Sequence, residues 1–249
     1  MKIVSWNVNG LRAILRKNFL SFLTTWQAEM VCLQETKTNR DLPLGLANYQ
    51  EFWGHGQRPG YSGTLILLKK NLAQQVAHRQ PGEFLTAEGR CIWLEFPQYH
   101  FFNLYFPNGG HQAARLDYKI AYYQEFFALI TSLTPTKGVI FTGDVNTAHQ
   151  EIDLARPKEN STHTGFLPQE RAWLDQVVAA GFVDVWRHLH PQERSYSWWD
   201  YKTRARERNV GWRIDYFFAS QELLGRITTC QILADVLGSD HAPIALELA

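Results

Sequence analysis

The chain has 249 residues, of which 45% are hydrophobic, 14% aromatic and 20% charged. This length and composition exclude an intrinsically disordered chain, a fibrous repeat and a small scaffold held by disulfides. The 25 lysine and arginine residues nearly balance the 24 acidic residues, and the formal net charge of +1 by itself indicates neither a nucleic acid nor a membrane as partner.

Alternating short apolar runs and helical patterns predict the secondary structure. Runs rich in β-branched and aromatic residues predict strands over residues 3–6, 30–34, 63–68, 91–96, 101–106, 139–142, 214–218 and 244–248. Apolar residues at helical spacing predict helices over residues 11–26, 116–133 and 168–180. This mixture indicates an α/β protein. Because no linker, charge block or repeat divides the chain, we expect one domain over residues 1–249.

The cysteines and the amino terminus indicate an intracellular protein. Cys32, Cys91 and Cys230 are far apart and lack the spacing of a zinc site or a redox motif. We interpret them as reduced thiols. The amino terminus turns polar after two aliphatic residues, and no apolar run approaches the roughly 18 residues that cross a bilayer. The sequence therefore predicts a cytoplasmic protein without a membrane partner.

Polar side chains follow apolar runs at five places that we interpret as strand ends. These segments are Asn7–Gly10, Gln34–Lys37, Pro107–Gly109, Gly143–Asn146 and Gly238–His241. The carboxyl ends of strands are where α/β enzymes place their sites. Each residue taken singly is equally well explained as a turn residue, a helix cap or a solvated side chain. Their recurrence predicts one shared site.

Three carboxylates dominate this predicted site, namely Glu35, Asp144 and Asp240, together with carboxamides and one histidine. Such hard oxygen donors suit Mg²⁺ or Mn²⁺ rather than zinc. A magnesium ion held by one or two carboxylates keeps open positions, and that arrangement serves phosphoryl chemistry.

Seven sequence motifs occur in order along the chain: Ser5–Arg12, Leu33–Lys37, Gly60–Gly63, Tyr105–Gly109, Thr142–His149, Gly211–Tyr216 and Gly238–Pro243. Together they resemble the exonuclease III family of apurinic/apyrimidinic (AP) endonucleases, within the endonuclease/exonuclease/phosphatase superfamily. Further similar stretches are Ile152–Asn160, Gly165–Arg171 and Tyr196–Trp199. These stretches favour the DNA-repair branch over the phospholipase, sphingomyelinase and inositol-phosphatase branches.

The resemblance implies a fold and an activity. The fold is a four-layered α/β sandwich, in which two mixed, mostly antiparallel sheets pack face to face with helices outside. The activity is that of a Mg²⁺-dependent phosphodiesterase, with Mn²⁺ able to substitute. Such an enzyme cuts double-stranded DNA 5′ to abasic sites, leaves a 3′-hydroxyl and trims 3′ ends. It is expected to be a cytoplasmic monomer, associated with the nucleoid when on DNA.

The resemblance also implies roles for the residues of the site. We expect Asp144 to orient or deprotonate the attacking water, with Asn146 holding water or substrate. We expect His241 to contact the scissile phosphate, and Asp215 to accept a hydrogen bond from its other ring nitrogen. Tyr105 offers a phenol to the phosphate. Metal binding is expected of Glu35, Asn7, Asp240, Asp144, Asn146 and His241.

A basic stretch and its aromatic neighbours indicate a DNA-facing surface. Residues 202–213 contain five basic residues and one acidic residue, a local charge of +4. A charge run is often only a solvated face, but basic groups interleaved with aromatic ones provide phosphate contacts and stacking. With the resemblance, DNA contacts are expected of Lys37, Arg58, Tyr61, Asn108, His111, Arg156, Lys158, Asn160, His163, Lys202, Arg204 and Arg206. The pocket for the flipped-out abasic sugar is expected from Trp198, Trp212 and Ile214.

Some alternatives stay open at the level of sequence. His111, His163 and Lys202 depart from the family pattern and bear on the balance among the possible activities. The main rival is a nuclease that acts chiefly as a 3′→5′ exonuclease or nicks beside deaminated bases such as uracil. A non-catalytic DNA-binding protein is disfavoured. A homologue without catalytic activity could lose residues such as Glu35 and Asp144, and both are present in this sequence.

Overall fold

The computed structural model describes residues 1–110 and 112–249. Within them the strands are β1 (Lys2–Asn7), β2 (Met30–Gln34), β3 (Tyr49–Gly54), β4 (Thr64–Lys69), β5 (Ala77–Arg79), β6 (Cys91–Glu95), β7 (Tyr99–Tyr105), β8 (Gly138–Asp144), β9 (Phe182–Asp184), β10 (Asp215–Ser220), β11 (Ile227–Ile232) and β12 (Ile244–Leu248). The helices are α1 (Leu11–Leu15), α2 (Phe19–Trp26), α3 (Lys70–Ala73), α4 (Glu83–Thr86), α5 (Ala113–Leu133), α6 (Pro157–Asn160), α7 (Pro168–Ala179) and α8 (Val185–Leu189). Short 3₁₀ helices cover Glu151–Asp153, Ala205–Arg208 and Gln221–Arg226.

The strands form two six-stranded sheets, ordered β11-β12-β1-β2-β4-β3 and β5-β6-β7-β8-β10-β9. Only β1–β2 and β7–β8 pair in parallel among these neighbours, and the rest are antiparallel. One core joins the inner faces of the two sheets, with Met30 and Ile66 from the first meeting Phe101 and Phe217 from the second. The buried sheet-on-sheet core confirms the predicted face-to-face packing.

Helices cover the outer faces of both sheets. On the first sheet, Phe19, Phe22 and Leu23 of α2 pack in one cluster with Val31 and other strand residues. On the second sheet, buried aromatic and aliphatic side chains of α5 and α7 pack against β7, β8 and β10. Together with the two sheets, these layers confirm the predicted four-layered α/β sandwich. None of the helices in the described ranges is long and apolar enough to cross a membrane.

The sequence patterns missed four strands, β3, β5, β9 and β11, and all four are sheet edges. An edge strand is covered on fewer sides, so it carries a weaker apolar pattern than a central strand. The burial patterns show the contrast, because β3 and β11 each bury one residue fully whereas all residues of β2 and β8 are buried.

The predicted helix over residues 11–26 is wrong in one respect, because the structure has two helices there, with a break in the helix between α1 and α2. In the break, Lys17 Nζ donates to the carbonyl of Gly238 at 2.6 Å, and Asn18 Nδ2 donates to the carbonyl of Leu237 at 2.6 Å. These two contacts hold the segment that leads to Asp240 against the turn between α1 and α2. The predicted helix over 116–133 begins three residues earlier, at Ala113.

The sheet topology brings the predicted polar segments to one end of the sandwich. Parallel β1 and β2 place Asn7 and Gln34 side by side, and parallel β7 and β8 do the same for Tyr105 and Asp144. One prediction was wrong: the segment 238–241 does not follow a strand but precedes β12. It still reaches the same end, because β12 is antiparallel to β1. Asp215 is the first residue of β10, and it lies opposite Asp144 because β10 is antiparallel to β8.

Candidate active site

A cleft of about 280 Å³ opens at this end of the sandwich. Its lining is formed by Glu35, Asn108, Asp144, Asn146, Thr164, Gly165, Trp198, Trp212, Ile214, Asp240 and His241. Both sheets and the loops between them contribute, so residues from distant parts of the sequence share one cavity. The cleft is therefore a site built by the fold rather than by a local motif.

Asp144 is fully buried at the carboxyl end of β8. Its carboxylate accepts hydrogen bonds from the amide of Asn7 at 2.8 Å and from the backbone N–H of Asn146 at 2.8 Å. The preceding Gly143 has φ 136°, and a Cβ there would collide with the backbone of Leu104 on β7. Only glycine therefore allows β8 to lie this close to β7 where it delivers Asp144 to the cleft.

Burial raises the pKa of Asp144 to about 7, and the neighbouring carboxylates of Asp215 and Glu35 act in the same direction against the opposing charge of His241. A carboxylate with a pKa near neutrality is a stronger proton acceptor than an exposed aspartate. The environment of Asp144 thus suits a general base.

His241 is buried between two carboxylates. Its Nδ1 lies 2.9 Å from Oδ2 of Asp215, and its Nε2 lies 3.9 Å from Oδ2 of Asp144. Burial alone would lower the pKa of His241, but the charges of Asp215 and Asp144 outweigh it and raise the pKa to about 10. The imidazole is therefore protonated at neutral pH, with Nδ1–H donated to Asp215 and Nε2–H available on the side of Asp144.

A chain of hydrogen bonds connects Glu35 to Asp240 across the cleft. Glu35 accepts a hydrogen bond from the phenol of Tyr105 and lies 3.0 Å from Nζ of Lys37. Lys37 also donates to Asn9, whose amide donates to Asp240 at 2.9 Å. The sequence analysis expects Lys37 to contact DNA. In this structure its ammonium forms a salt bridge with Glu35, and its contact with DNA stays a prediction.

Four residues of this region have left-handed backbone conformations. They are Asn9, Glu35, Lys37 and Asn146, with φ between 47° and 57°. A non-glycine residue in such a conformation costs on the order of 1 to 3 kcal/mol and persists only where its surroundings hold it. The backbone amide of Gly10 donates to the carbonyl of Glu35, and that of Lys37 to the carbonyl of Ser62, so the strained turns are held by hydrogen bonds. Such clustering is typical of functional sites.

The donor set of the cleft fits a hard divalent cation. The lining contains three carboxylates, two carboxamides and one imidazole, and no thiol. Asp144, Asp215 and His241 place ligand atoms within 4.8 Å of one another. Oδ1 of Asp215 is buried without a hydrogen-bond partner. Several carboxylates and an unsatisfied oxygen in one buried region call for additional positive charge.

The residues predicted for the sugar pocket lie together on one wall of the cleft. The rings of Trp198 and Trp212 meet edge to face at 6.3 Å, and Ile214 lies in the same apolar cluster. The indole N–H of Trp198 donates to Asp240 at 3.1 Å, which links the pocket to the acidic side. Across from Trp212 is Gly165, where a Cβ would come within 3.3 Å of the indole. One wall of the cleft is therefore apolar, and Gly165 packs directly against the indole of Trp212.

The other predicted DNA contacts differ in their exposure, and Asn108 is the one among them that is part of the described cleft lining. Asn108 donates to Asn146 at 3.3 Å. The guanidinium of Arg58 lies 4.9 Å from the ring centre of Tyr61. The remaining ones are exposed or half-buried, namely Arg156, Lys158, Asn160, His163, Lys202, Arg204 and Arg206. His111 lies outside the described residues. None of these contacts is tested by the structure alone, and each stays a prediction.

Two basic residues of the 202–213 stretch are not free surface charges. Arg206 donates through its guanidinium to the carbonyls of Ser239, Ala234 and Val236. Arg213 is buried and forms salt bridges with aspartates outside the stretch. The local charge of +4 therefore overstates the positive charge that this segment displays to a partner.

The structure also places three polar side chains around the site that the sequence analysis missed. The guanidinium of buried Arg90 lies 4.6 Å from the ring centre of Tyr105 and donates to its carbonyl. The amide of Asn103 on β7 donates to the carbonyls of Leu33 and Leu65 on the first sheet. The hydroxyl of Ser197 accepts from the backbone amide of Asp215 at 3.1 Å. Each of them supports a functional residue or joins the sheets below the cleft, and no local sequence signal marks them.

Comparison with known proteins agrees with this geometry. The sequence pattern of the Endonuclease/Exonuclease/phosphatase family matches residues 4–241. The chain is 44% identical over 249 residues to the exodeoxyribonuclease of Bacillus subtilis (strain 168), covering 99% of this chain and 98% of that protein. It is 41% identical over 256 residues to the DNA repair nuclease APEX1 of Danio rerio, covering 100% of this chain and 82% of that protein. The crystal structure of AP endonuclease LMAP from Leishmania major superposes with a TM-score of 0.88 at 29% identity, covering 99% of this chain and 87% of that one.

Proposed function

Because the chain belongs to the endonuclease/exonuclease/phosphatase family, we propose that it is a DNA-repair phosphodiesterase. It hydrolyses the backbone of double-stranded DNA 5′ to abasic sites and leaves a 3′-hydroxyl. The observation that carries the proposal is the cleft, in which Asp144, Asn146 and His241 share one cavity with Trp198 and Trp212. The proposed enzyme works as a monomer in the cytoplasm, at the nucleoid when bound to DNA.

The proposed cofactor is Mg²⁺, with Mn²⁺ able to substitute. The residues that would hold it are Glu35, Asp240, Asn7, Asp144 and Asn146. His241, which the sequence analysis also expects as a ligand, donates from both ring nitrogens in this proposal and so offers the cation no lone pair. When bound, the cation would neutralise negative charge on the scissile phosphate. The choice of a hard cation rests on the carboxylate and carboxamide oxygens of the cleft and on the lack of a thiol in its lining.

The chain's own residues supply the proton transfers and the orientation that hydrolysis requires. Asp144, held by the amides of Asn7 and Asn146, orients the attacking water and accepts its proton. Protonated His241 donates from Nε2 to a phosphate oxygen, while Asp215 fixes the ring through Nδ1. These groups are in place before substrate arrives, so little reorganisation accompanies the reaction.

The apolar wall of the cleft supports the proposed selection of a nucleotide that lacks its base. A flipped-out abasic sugar presents an apolar ring that packs against the indoles of Trp198 and Trp212. A nucleotide that retains its base is larger, and the indole of Trp212 cannot shift toward Gly165 to admit that extra volume, because the two residues are already packed together. Discrimination therefore follows from size and shape rather than from hydrogen bonds to a base.

The proposal is tested with an end-labelled duplex that carries a single stable abasic analogue. We expect one cut 5′ to the abasic position in Mg²⁺, a product that a polymerase extends from its 3′-hydroxyl, and no cut in EDTA. Addition of excess Mg²⁺ to the EDTA reaction should restore cleavage. An abasic duplex that stays intact in Mg²⁺ would contradict the proposal.

A second activity, removal of nucleotides from 3′ ends, is favoured by the 44% identity to a protein named exodeoxyribonuclease. The same cleft would serve, because both reactions hydrolyse a phosphodiester and release a 3′-hydroxyl. Initial rates on abasic, uracil-containing and intact duplexes under one set of conditions rank the activities. A higher rate on the uracil-containing duplex than on the abasic duplex would make nicking beside deaminated bases the main activity. A higher rate on the intact duplex would make 3′→5′ exonuclease action the main activity.

A further inference from the structure

A fully buried ion pair lies beside the cleft and takes no part in the proposed chemistry. Lys119 of α5 and Glu170 of α7 are each 0% exposed, and Nζ lies 2.5 Å from Oε1. Removal of two charges from water is costly unless every polar atom of the pair is satisfied. The remaining hydrogen bonds of the pair therefore show which segments it holds.

Lys119 holds the loop that follows β8. Its ammonium donates to the carbonyl of Asn146 at 2.8 Å and to the hydroxyl of Thr147 at 2.9 Å, in addition to Glu170. All three donors of the ammonium are thus used. Because Asn146 has a left-handed φ of 57°, its peptide needs such an external contact to stay in place.

Glu170 holds the opposite segment, which forms a wall of the cleft. Its carboxylate accepts from the hydroxyl of Thr164 at 2.8 Å and from the backbone amides of Gly165 at 2.6 Å and Leu167 at 3.0 Å. Thr164 and Gly165 line the cleft. Glu170 is also the third residue of α7, so its contact with Leu167 is half of a capping box.

We infer that Lys119 and Glu170 are positioning residues that fix the Gly165 backbone, against which the indole of Trp212 packs, and so fix the shape of this wall of the cleft. The pair joins the peptide of Asn146 to the wall at Gly165, so the two segments move as one unit. The inference rests on the proposed function and deepens it: the pair sets the preference for a nucleotide without a base over an intact nucleotide. A helix cap alone would not require contacts with Asn146 and Thr164.

The test measures binding, so that it does not depend on turnover. Dissociation constants for abasic and intact duplexes of the same sequence are measured in EDTA, and their ratio gives the preference. The main variant is Lys119→Met with Glu170→Gln, which removes both charges together and leaves no unpaired buried charge. Glu170→Gln alone is the second variant, and both variants are measured at a temperature where urea unfolding shows them to be folded. Tyr122→Phe is the matched control, because Tyr122 is buried on the same helix and its hydroxyl contacts only Leu85, away from the cleft.

We expect the preference for the abasic duplex to fall about tenfold in the double variant and roughly threefold in Glu170→Gln, as the wall loosens and admits intact nucleotides. Tyr122→Phe should keep the preference of the wild type. An unchanged preference in a folded variant, or equal loss of affinity for both duplexes, would overturn the inference. Failure of the proposed function is separate, since it would appear as an uncut abasic duplex when the wild type is given Mg²⁺.

Discussion

Two groups of buried charge differ in their balance. The first, which we call the balanced cluster, consists of Asp153, Asp184, Arg187 and Arg213. In it, Arg213 donates to Asp153 at 2.8 Å and to Asp184 at 2.7 Å, and Arg187 donates to Asp153 at 2.6 Å. Burial alone would raise the pKa of Asp153, but the guanidinium groups of Arg213 and Arg187 and the backbone amide of Gln150 together outweigh it, and the pKa is lowered.

The cleft has the opposite character. Asp144, Asp215 and the other carboxylates of the cleft outnumber the cations near them, and the pKa of Asp144 is raised to about 7. The balanced cluster contains as many guanidinium groups as carboxylates, whereas the cleft has more carboxylates than cations. Buried charges that are out of balance thus mark a functional site, whereas balanced buried charges serve the stability of the fold.

The largest expected effect is on turnover at the unbalanced site. Asp144→Asn keeps the shape of the side chain but removes the proton acceptor, and we expect kcat to fall by roughly 10³ to 10⁴. Affinity for the abasic duplex should change little. Because the charged form of Asp144 is disfavoured by burial, the free energy of unfolding at pH 8 should not decrease. Single-turnover kinetics and urea unfolding check both parts, and turnover within tenfold of wild type would remove Asp144 from its role.

At the balanced cluster the same kind of substitution should act on stability. Asp153→Asn leaves the buried guanidinium groups of Arg187 and Arg213 short of negative charge, and we expect the free energy of unfolding to fall by about 3 to 5 kcal/mol. Glu247→Gln is the control, since Glu247 pairs with Lys2 at 3.6 Å on the surface. That change should cost less than about 1 kcal/mol. Urea unfolding measures both variants. Equal losses of unfolding free energy in Asp153→Asn and Glu247→Gln would show that burial of a salt bridge does not determine its contribution to stability.

The two regions should also differ in their response to alkaline pH. The pKa of His241 is about 10 in the folded protein, above its ordinary value of 6.5, so its charge stabilises the fold below pH 6.5 and the contribution is lost as pH rises toward 10. In EDTA, the stability difference between wild type and His241→Gln should therefore shrink over this range, by at most about 1.4 kcal/mol per pH unit. The difference for Asp153→Asn should stay flat. A flat curve for His241→Gln would contradict the assigned protonation.

The smallest expected effects belong to exposed charges outside both regions. Lys202→Ala and Arg204→Ala should each weaken DNA binding a few-fold and lower the slope of log affinity against log salt by about 1. Arg79→Ala is the control, because Arg79 is exposed but paired with Glu95 at 2.6 Å and is not predicted to face DNA. Slopes unchanged from wild type in both variants would remove these residues from the DNA contacts.

The sequence patterns predicted the central strands and the carboxylates of the cleft because both leave local signals, whereas the sugar-pocket residues Trp198, Trp212 and Ile214 were expected only from the family resemblance. Buried strands such as β2 and β8 are continuous apolar runs, and the polar segments interrupt such runs abruptly. Edge strands lack that signal, since half of their surroundings is solvent. The break between α1 and α2 was missed because apolar spacing continues across it, and only the contact of Lys17 with Gly238 shows why the helix stops.

Long-range pairing is what local patterns could not provide. Arg213 was counted as a surface charge, but its partners Asp153 and Asp184 are 60 and 29 residues away in the sequence. Lys119 did leave a weak signal, because it occupies the buried helical stripe that continues at Tyr122, Tyr123, Phe126 and Ile130. A lysine on such a stripe requires a buried partner, and the fold identifies it as Glu170.

The central claim is tested most directly by measuring single-turnover cleavage of the abasic duplex by Asp144→Asn and Asp153→Asn side by side, at a temperature where urea unfolding shows both to be folded. Both substitutions replace a buried aspartate by its amide, so the chemical change is the same and only its place in the structure differs. We predict that Asp144→Asn cleaves at least about 100-fold more slowly than Asp153→Asn. Equal cleavage rates in the two folded variants would contradict the account.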